Sequence, residues 1–506
     1  MDSDADIEAD IQTDKEVENG RGDSINLMEP LLISESSRHR GMLTDLVVEL
    51  AQKAAGFRRS LPESLTMSLA DLVRSMNCYY SNLIEGHDTH PIDIERALKS
   101  DYSNDPRKRD LQHEAVAHIA VQKWIDSRGL RECAATSDGI REIHRRFCEL
   151  LPGDLLWVED PDRKERIRVV PGELRMRDVQ VGLHISVGPK ALPRFLARFE
   201  EVYSHLNRTE SILGAASAHH RLLWIHPFLD GNGRVARLMS HAMLLDTLDT
   251  GAIWSVARGL ARNVEEYKRH LAECDLPRRN DLDGRGNLSE EALAGFTEFF
   301  LRVCIDQVAF MESLVQPNRL RTRILLWAEE EVRLGTLPPK AARILEAVLY
   351  RGELSRADAA SVVDAGERHT RRIVSVLTER GVLTAESQRA PLRLVFPAEL
   401  ASRWMPGLFP EKVNIREESD LQGPTVAERY DSSRQAVEFW VAVGSTRLRC
   451  AISREALDDH FGGDGKDKLV VFRTNRQAIE EFARRKFLDG RMESDGVVFI
   501  RSADFV

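Results

Sequence analysis

The sequence lacks any apolar run that approaches the length of a membrane span, and its first residues are acidic where a secretory leader would be basic and then apolar. A membrane protein and an exported one are therefore not expected. It also lacks CxxC and every other cysteine spacing that suits a metal. Cys78, Cys133, Cys148, Cys274, Cys304 and Cys450 are scattered, which favours reduced thiols in a cytoplasmic protein over zinc or disulfides. Positive charge is in deficit too. The net charge of −10 over 506 residues gives no overall field toward nucleic acid or acidic lipid. What remains is a chain long enough for about three domains, each able to bury its own core.

One short segment carries most of the chemistry: His226-Pro227-Phe228-Leu229-Asp230-Gly231-Asn232-Gly233-Arg234-Val235-Ala236-Arg237. Its glycines can adopt positive φ and turn successive backbone N–H groups inward as an anion-binding nest. A helix is expected over 234–246, so the nest falls at a helix N-terminus, where the dipole also favours phosphate. Arg234 and Arg237 are three apart and share a face, as two prongs on distal phosphates. Asp230 is placed for Mg²⁺, and His226 can accept a proton near neutral pH.

The segment resembles the Fic family signature, His-Pro-Phe-x-Asp-Gly-Asn-Gly-Arg-x-x-Arg, with no departure at its nine specified positions. The resemblance implies transfer of AMP from ATP to a Ser, Thr or Tyr hydroxyl of a target protein and of the chain itself. It further implies that His226 deprotonates the hydroxyl and that Asp230 holds Mg²⁺ across the α- and β-phosphates. Gly231, Asn232 and Gly233 would stabilise charge at the α-phosphate, with Asn232 giving its amide, while Arg234 and Arg237 grip the β- and γ-phosphates. Val235 and Ala236 complete the nucleotide-binding stretch. Other readings stay open: another nucleotide, removal of AMP, or a DNA-binding regulator whose core only senses nucleotide.

Three further features follow from the resemblance. Ser81-Asn82-Leu83-Ile84-Glu85-Gly86 matches the inhibitory motif [Ser/Thr]-x-x-x-Glu-[Gly/Asn] that Fic proteins carry on a helix ahead of the core. Average composition would supply roughly 0.4 such matches in a chain this long, so its position gives it weight. Ser81 and Glu85 face the same way at i and i+4, and Glu85 would occupy Arg237. A flap over the active site maps onto Arg175, Met176, Arg177, Asp178, Val179, Gln180 and Val181, where relatives hold the modified segment by strand-like pairing. Tyr267 falls where relatives line the adenine pocket, although Lys268 replaces the second aromatic of that pair. The family leaves open whether such a brake is released by dissociation of a homodimer, by metal or by a partner.

The expected fold is mainly α: an all-helical Fic core with a β-hairpin flap, a winged helix (α+β) domain and a small α+β C-terminal domain. Residues 1–28, rich in Asp, Glu and Ser, read as a disordered acidic tail. Apolar residues at helical spacing fill 29–150 and 151–330, with helices over 42–55, 65–84, 110–127, 138–150, 192–206, 211–224 and 288–314. Asp138 and Ser211 are the expected caps of two of them. Alternation over 166–170 and 176–181 around Pro171-Gly172 predicts the hairpin. Residues 335–397 read as a winged helix-turn-helix whose third helix places Arg368, His369, Thr370, Arg371 and Arg372 toward a DNA groove. Residues 398–429 read as a linker, and 430–506 as the small domain, with strands on either side of Gly444-Ser445.

Overall fold

The sequence folds into the expected helical majority because its apolar positions fall at three- and four-residue intervals. The computed structural model describes residues 23–159, 164–182, 184–248, 250–387, 389–409, 428–431, 434–443, 446–488 and 497–505. Residues 1–22 of the expected tail lie outside these. The rest of that tail is ordered: Ile25–Met28 is a 3₁₀ turn, Met28 is fully buried, and the Asp23 carboxylate accepts a hydrogen bond from the Gly188 amide.

Five helices follow: α1 (Arg40–Arg59), α2 (Glu63–Ile84), α3 (Pro91–Leu98), α4 (Pro106–Asp126) and α5 (Ser137–Glu149). Helix α2 buries Leu65, Leu69, Leu72, Val73, Met76 and Tyr80 along one stripe. Each fully buried side chain of this kind contributes about 1.5–3 kcal/mol. Helix α2 stops where it does because Gly86 takes φ +85° and closes a two-bond terminus, with the His87 amide donating to Asn82 O and the Gly86 amide to Leu83 O. Glu85 is therefore the cap just past Ile84, the last helical residue. Helix α5 is capped by Thr136, whose hydroxyl accepts from the Gly139 amide, and not by Asp138.

The expected hairpin around Pro171-Gly172 does not form. Strand β2 (Arg166–Arg168) pairs upstream with β1 (Trp157–Glu159), while β3 (Gln180–Val181) pairs with β4 (His184–Ile185). The residues between are held by side chains instead. Arg141 donates to Gly172 O, and the Gly172 amide donates to His144 Nδ1. Alternation made both segments strand-competent, but those anchors separate them and each finds a nearer partner.

Helices α6 (Leu192–Tyr203), α7 (Arg208–Ile225), α8 (Asn232–Thr247), α9 (Val256–Arg262), α10 (Val264–Cys274), α11 (Glu290–Val315) and α12 (Pro317–Arg333) complete the helical core. Asn207 caps α7 through the Glu210 amide, where Ser211 was expected. Helices α7 and α8 are buried on nearly every face and pack on each other, so the loop joining them is anchored at both ends in the core.

Residues 335–397 form α13 (Ala341–Arg351), β5 (Glu353–Leu354), α14 (Arg356–Val363), α15 (Glu367–Glu379), β6 (Leu383–Thr384) and β7 (Leu392–Leu394), with sheet order β5-β7-β6. Helix α15 buries Thr370, Ile373, Val374 and Leu377 and leaves Arg368, Arg371 and Arg372 exposed. The first part of the expected linker is no linker. Residues 398–409 carry the short helix α16 (Ala401–Trp404), and Trp404, Met405 and Leu408 are buried. There Leu408 O accepts from the Tyr80 hydroxyl at 3.0 Å, and Phe409 meets the Tyr79 ring edge-on at 5.7 Å. Residues 410–427 lie outside the described residues.

Residues to Phe409 form one compact unit and those from Pro410 a second. The second contains β8 (Arg429–Asp431), β9 (Ala436–Val443), β10 (Thr446–Ser453), α17 (Arg454–Phe461), α18 (Lys468–Thr474), α19 (Arg476–Leu488) and β11 (Val498–Ile500), in sheet order β11-β10-β9-β8. Among the described residues, no helix is long and apolar enough to cross a membrane.

Candidate functional site

The loop between α7 and α8 is built by two left-handed residues. Helix α7 ends at His226, which takes φ 52°, an uncommon conformation for a residue with a side chain, and Pro227 prevents the helix from continuing. Arg175 holds this bend: its Nε donates to His226 O at 2.7 Å, its Nη1 to Arg177 O at 2.6 Å and its Nη2 to Val187 O at 2.5 Å. Arg175 is 1% exposed. It is thus a buried clamp between the flap segment and the histidine, where the sequence placed it as the first residue of the flap.

Gly231 takes φ +80° and begins α8, whereas Gly233 lies within the first helical turn and needs no left-handed φ. Its lack of a side chain serves space instead. A Cβ there would stand 2.5 Å from Glu85 Oε1 and 3.1 Å from Arg237 Nη1. Asn232 turns inward, against expectation. Its Oδ1 accepts from the Phe228 amide at 3.0 Å and its Nδ2 donates to Phe228 O at 2.9 Å. Both ends of the amide brace the loop, so the side chain positions its neighbours. Phe228 is fully buried and stacks on His144 at 3.9 Å. Asp230 is exposed at the outer edge of the same turn.

Both arginines are engaged by carboxylates from the N-terminal helices. Arg237 Nη2 donates to Glu85 Oε1 at 2.5 Å, and its Nε donates to Ser81 Oγ at 2.9 Å. The two residues of the α2 motif thus meet one arginine together. Burial works to raise the Glu85 carboxyl, but the charge and hydrogen bond of Arg237, with Arg234 and His87 beyond it, hold it below the usual carboxylate value. Arg234 Nη2 donates to Glu114 Oε2 at 2.6 Å, and its guanidinium lies 5.2 Å over the Phe147 ring. Glu114 escaped the sequence reading. A single carboxylate on α4, 120 residues from its partner, has no spacing signature.

Burial and the nearby Arg175 charge push the His226 imidazole down to about 4, so the ring is neutral at ordinary pH and free to accept a proton. The short β3–β4 hairpin stands beside it, since His184 Nε2 lies 2.8 Å from Trp224 O. Val181 and Ile185 on that hairpin, and Met176 before it, are exposed apolar groups. Among the other expected flap residues, Arg177 pairs with Glu165, Asp178 is exposed, Val179 O accepts from the Ser186 amide, and Gln180 donates to Gly182 O. Tyr267 is 3% exposed and lies within an aromatic group with His219 and Phe296. Its hydroxyl is 2.7 Å from His219 Nε2, whose Nδ1 reaches Ser240 at 2.9 Å. That chain braces α8 from beneath and gives Tyr267 no open face for a base.

No cluster of three or more His, Cys, Asp or Glu suited to a metal occurs among the described residues. A lone exposed carboxylate beside a phosphate nest fits Mg²⁺ that arrives with its own phosphate ligands.

Residues 134–244 match the Fic/DOC family, and residues 424–500 match a protein family of unknown function, DUF1488. The first match begins downstream of Glu85 and Glu114. The chain is 28% identical over 223 residues to a protein of Drosophila erecta named protein adenylyltransferase Fic, covering 42% of each. It is 31% identical over 169 residues to the Drosophila melanogaster protein of the same name, covering 33% of this chain and 31% of that one. The chain thus spans less than half the length of these curated relatives. Among solved structures, a Fic family protein from Desulfovibrio desulfuricans aligns with a TM-score of 0.42 at 17% identity, covering 72% of this chain and 98% of that one.

Proposed function

We propose that this chain, which carries a Fic/DOC family domain at residues 134–244, transfers AMP from ATP to a protein hydroxyl and is restrained by its own Glu85. The observation that carries the reading is the Glu85 carboxylate against Arg237 and over the side-chain-free Gly233. An anion already stands at the helix N-terminus where a phosphate would bind.

In this mechanism the Ser, Thr or Tyr oxygen attacks the α-phosphorus, and the bond from that phosphorus to the α–β bridging oxygen breaks. Pyrophosphate leaves with the bonding electrons, and neutral His226 takes the hydroxyl proton. The Gly231 turn and the start of α8 present backbone N–H groups to the α-phosphate, while Asn232 keeps them in place through Phe228. Arg234 and Arg237 hold the distal phosphates. Asp230 would hold Mg²⁺, which when bound offsets charge across the phosphates. The β3–β4 hairpin offers strand-like pairing to the modified segment, with Val181 and Ile185 as apolar contacts.

The test compares α-labelled with γ-labelled ATP in the presence of lysate and of the chain alone. With the chain alone, label from the α position should appear on protein and label from the γ position should not; in lysate, α label on protein should depend on the added chain. Protein labelled from the γ position with the chain alone would overturn AMP transfer, and better transfer from another nucleotide would reassign the donor.

A second reading attaches to residues 335–397, where the exposed Arg368, Arg371 and Arg372 open α15 in the manner of a winged-helix recognition helix. A salt-dependent gel shift that is lost in Arg368→Ala with Arg372→Ala would support DNA binding by this module.

A further inference from the structure

The two carboxylates at the signature loop differ in how they are held. Glu85 is the C-cap of α2, is followed by the left-handed Gly86, and keeps its side chain 37% exposed. A short rearrangement after the helix end would withdraw it. Glu114 lies in the middle of α4, with its side chain 15% exposed. It has no comparable freedom.

Their targets differ in the same way. Glu85 is the nearest group to the space above Gly233, whereas the atoms closest to that space include none from Glu114. Arg234 is fixed along one edge by Glu114 and across its face by Phe147, and its side chain is 8% exposed. Its Nε is buried with no hydrogen-bond partner. An orphaned donor on an otherwise fixed guanidinium is what a site prepared for a further acceptor would show. His87 Nδ1 also stands 3.3 Å from the Glu114 oxygen that Arg234 uses, which ties this pair to the segment just beyond Glu85.

We propose that Glu114 is a positioning residue for phosphate recognition, a permanent counter-ion that orients Arg234 toward the distal phosphates of the nucleotide while Glu85 is the displaceable one. The proposal rests on the nucleotide-binding reading of the loop. Its physical basis is the cost of leaving a buried cation without its partner, which would let Arg234 turn toward another acceptor. Glutamine at 114 keeps an acceptor oxygen without the charge, and alanine keeps neither.

The test is calorimetric binding of ATP, ADP, AMP and adenosine, with Mg²⁺, to the full chain carrying Glu85→Gly, alone and with Glu114→Gln or Glu114→Ala. Glu114→Ala should weaken ATP and ADP about 10-fold, the loss expected for a misplaced charged hydrogen bond. AMP and adenosine should change less than about twofold, and Glu114→Gln should fall between on ATP, about 3-fold weaker. Equal weakening across all four ligands would mark Glu114 as merely structural and overturn the proposal, as would unchanged or tighter ATP binding. Should Glu114→Ala fail to fold, Glu114→Gln decides by the same ratio of ATP to adenosine. If the Glu85→Gly parent binds ATP no more tightly than adenosine, the nucleotide reading itself falls, and that result needs no Glu114 variant.

Discussion

Replacing Glu85 with glycine should make the protein faster. The Arg237 guanidinium is held by Glu85 at 2.5 Å and by Ser81 at 2.9 Å, so losing the carboxylate leaves one anchor that keeps the arginine oriented. A hydrogen bond to a charged group contributes about 1.5–3 kcal/mol. The Glu85 side chain is 37% exposed, so solvent screening lowers this to about 1–2 kcal/mol. Removing a competitor of that strength predicts a rise in AMP transfer of roughly 5- to 30-fold, at about 1.4 kcal/mol per factor of ten. The assay is self-labelling from α-labelled ATP, with circular dichroism to confirm the fold. Adding Arg237→Ala should cancel the gain, because the released arginine is the beneficiary. Acid should not mimic the mutation. Arg237 holds the Glu85 carboxyl below its ordinary value, so the contact persists through the usual carboxylate range and is lost only as pH falls through the lowered one. A folded Glu85→Gly protein that labels no faster than its parent would refute this reasoning. A loss of AMP removal with no gain in transfer would point to the hydrolytic direction instead.

His226→Ala should lower transfer by at least about 10²-fold while ATP binding stays near that of the parent. Because burial sets the imidazole near 4, the rate of the intact protein should show no inflection at the ordinary histidine value and fall only toward pH 4; an inflection near 6.5 would contradict this. Asp230→Ala should raise the Mg²⁺ concentration needed for half-maximal transfer well above that of the parent, and equal Mg²⁺ titrations would remove it as the ligand. Stability should also be acid-sensitive. Burial pushes His118, His144, His219, His220 and His226 down to about 3 or 4, so below about 6.5 the unfolded chain takes up protons that the native one cannot. Stability is then complete above that value and declines as pH falls toward 4, by roughly 2 kcal/mol per fully buried histidine at pH 5, and a melting temperature that is flat from pH 7.5 to 5 would exclude this.

What could be read in advance was whatever the chain encodes locally. The loop from His226 to Arg237 and the Ser81–Glu85 pair are contiguous or one turn apart, so their shared face follows from helix geometry alone. The β-hairpin failed because alternation names strand-competent residues without naming their partners. Arg141 and His144, from elsewhere in the chain, and Arg175 through its bond to His226 decide the matter. Asp138 and Ser211 lost their capping roles to Thr136 and Asn207, two and four residues upstream, which is the usual error of boundary reading. Asn232 and Tyr267 have side chains suited to a ligand, and only the folded loop and the tertiary packing show their polar groups engaged with Phe228 and His219 respectively. Residues 398–409 have a linker's Pro406-Gly407 pair and mixed charges, yet their few large apolar residues suffice to pin them.

That last segment sets the order in which the molecule is completed. Tyr80 and Leu408, 328 residues apart, are joined by a hydrogen bond, so the helix that leads into Glu85 gains its final covering only after the loop at 226–237 and the whole of 335–397 exist. Closure of so long a loop costs little more entropy than a shorter one, but it comes late in synthesis. A chain truncated at residue 397 would keep every residue of the signature loop and of its brake. It would also leave the Tyr79 and Tyr80 flank of α2 without the cover of Leu408 and Phe409, next to Ser81 and five residues before Glu85.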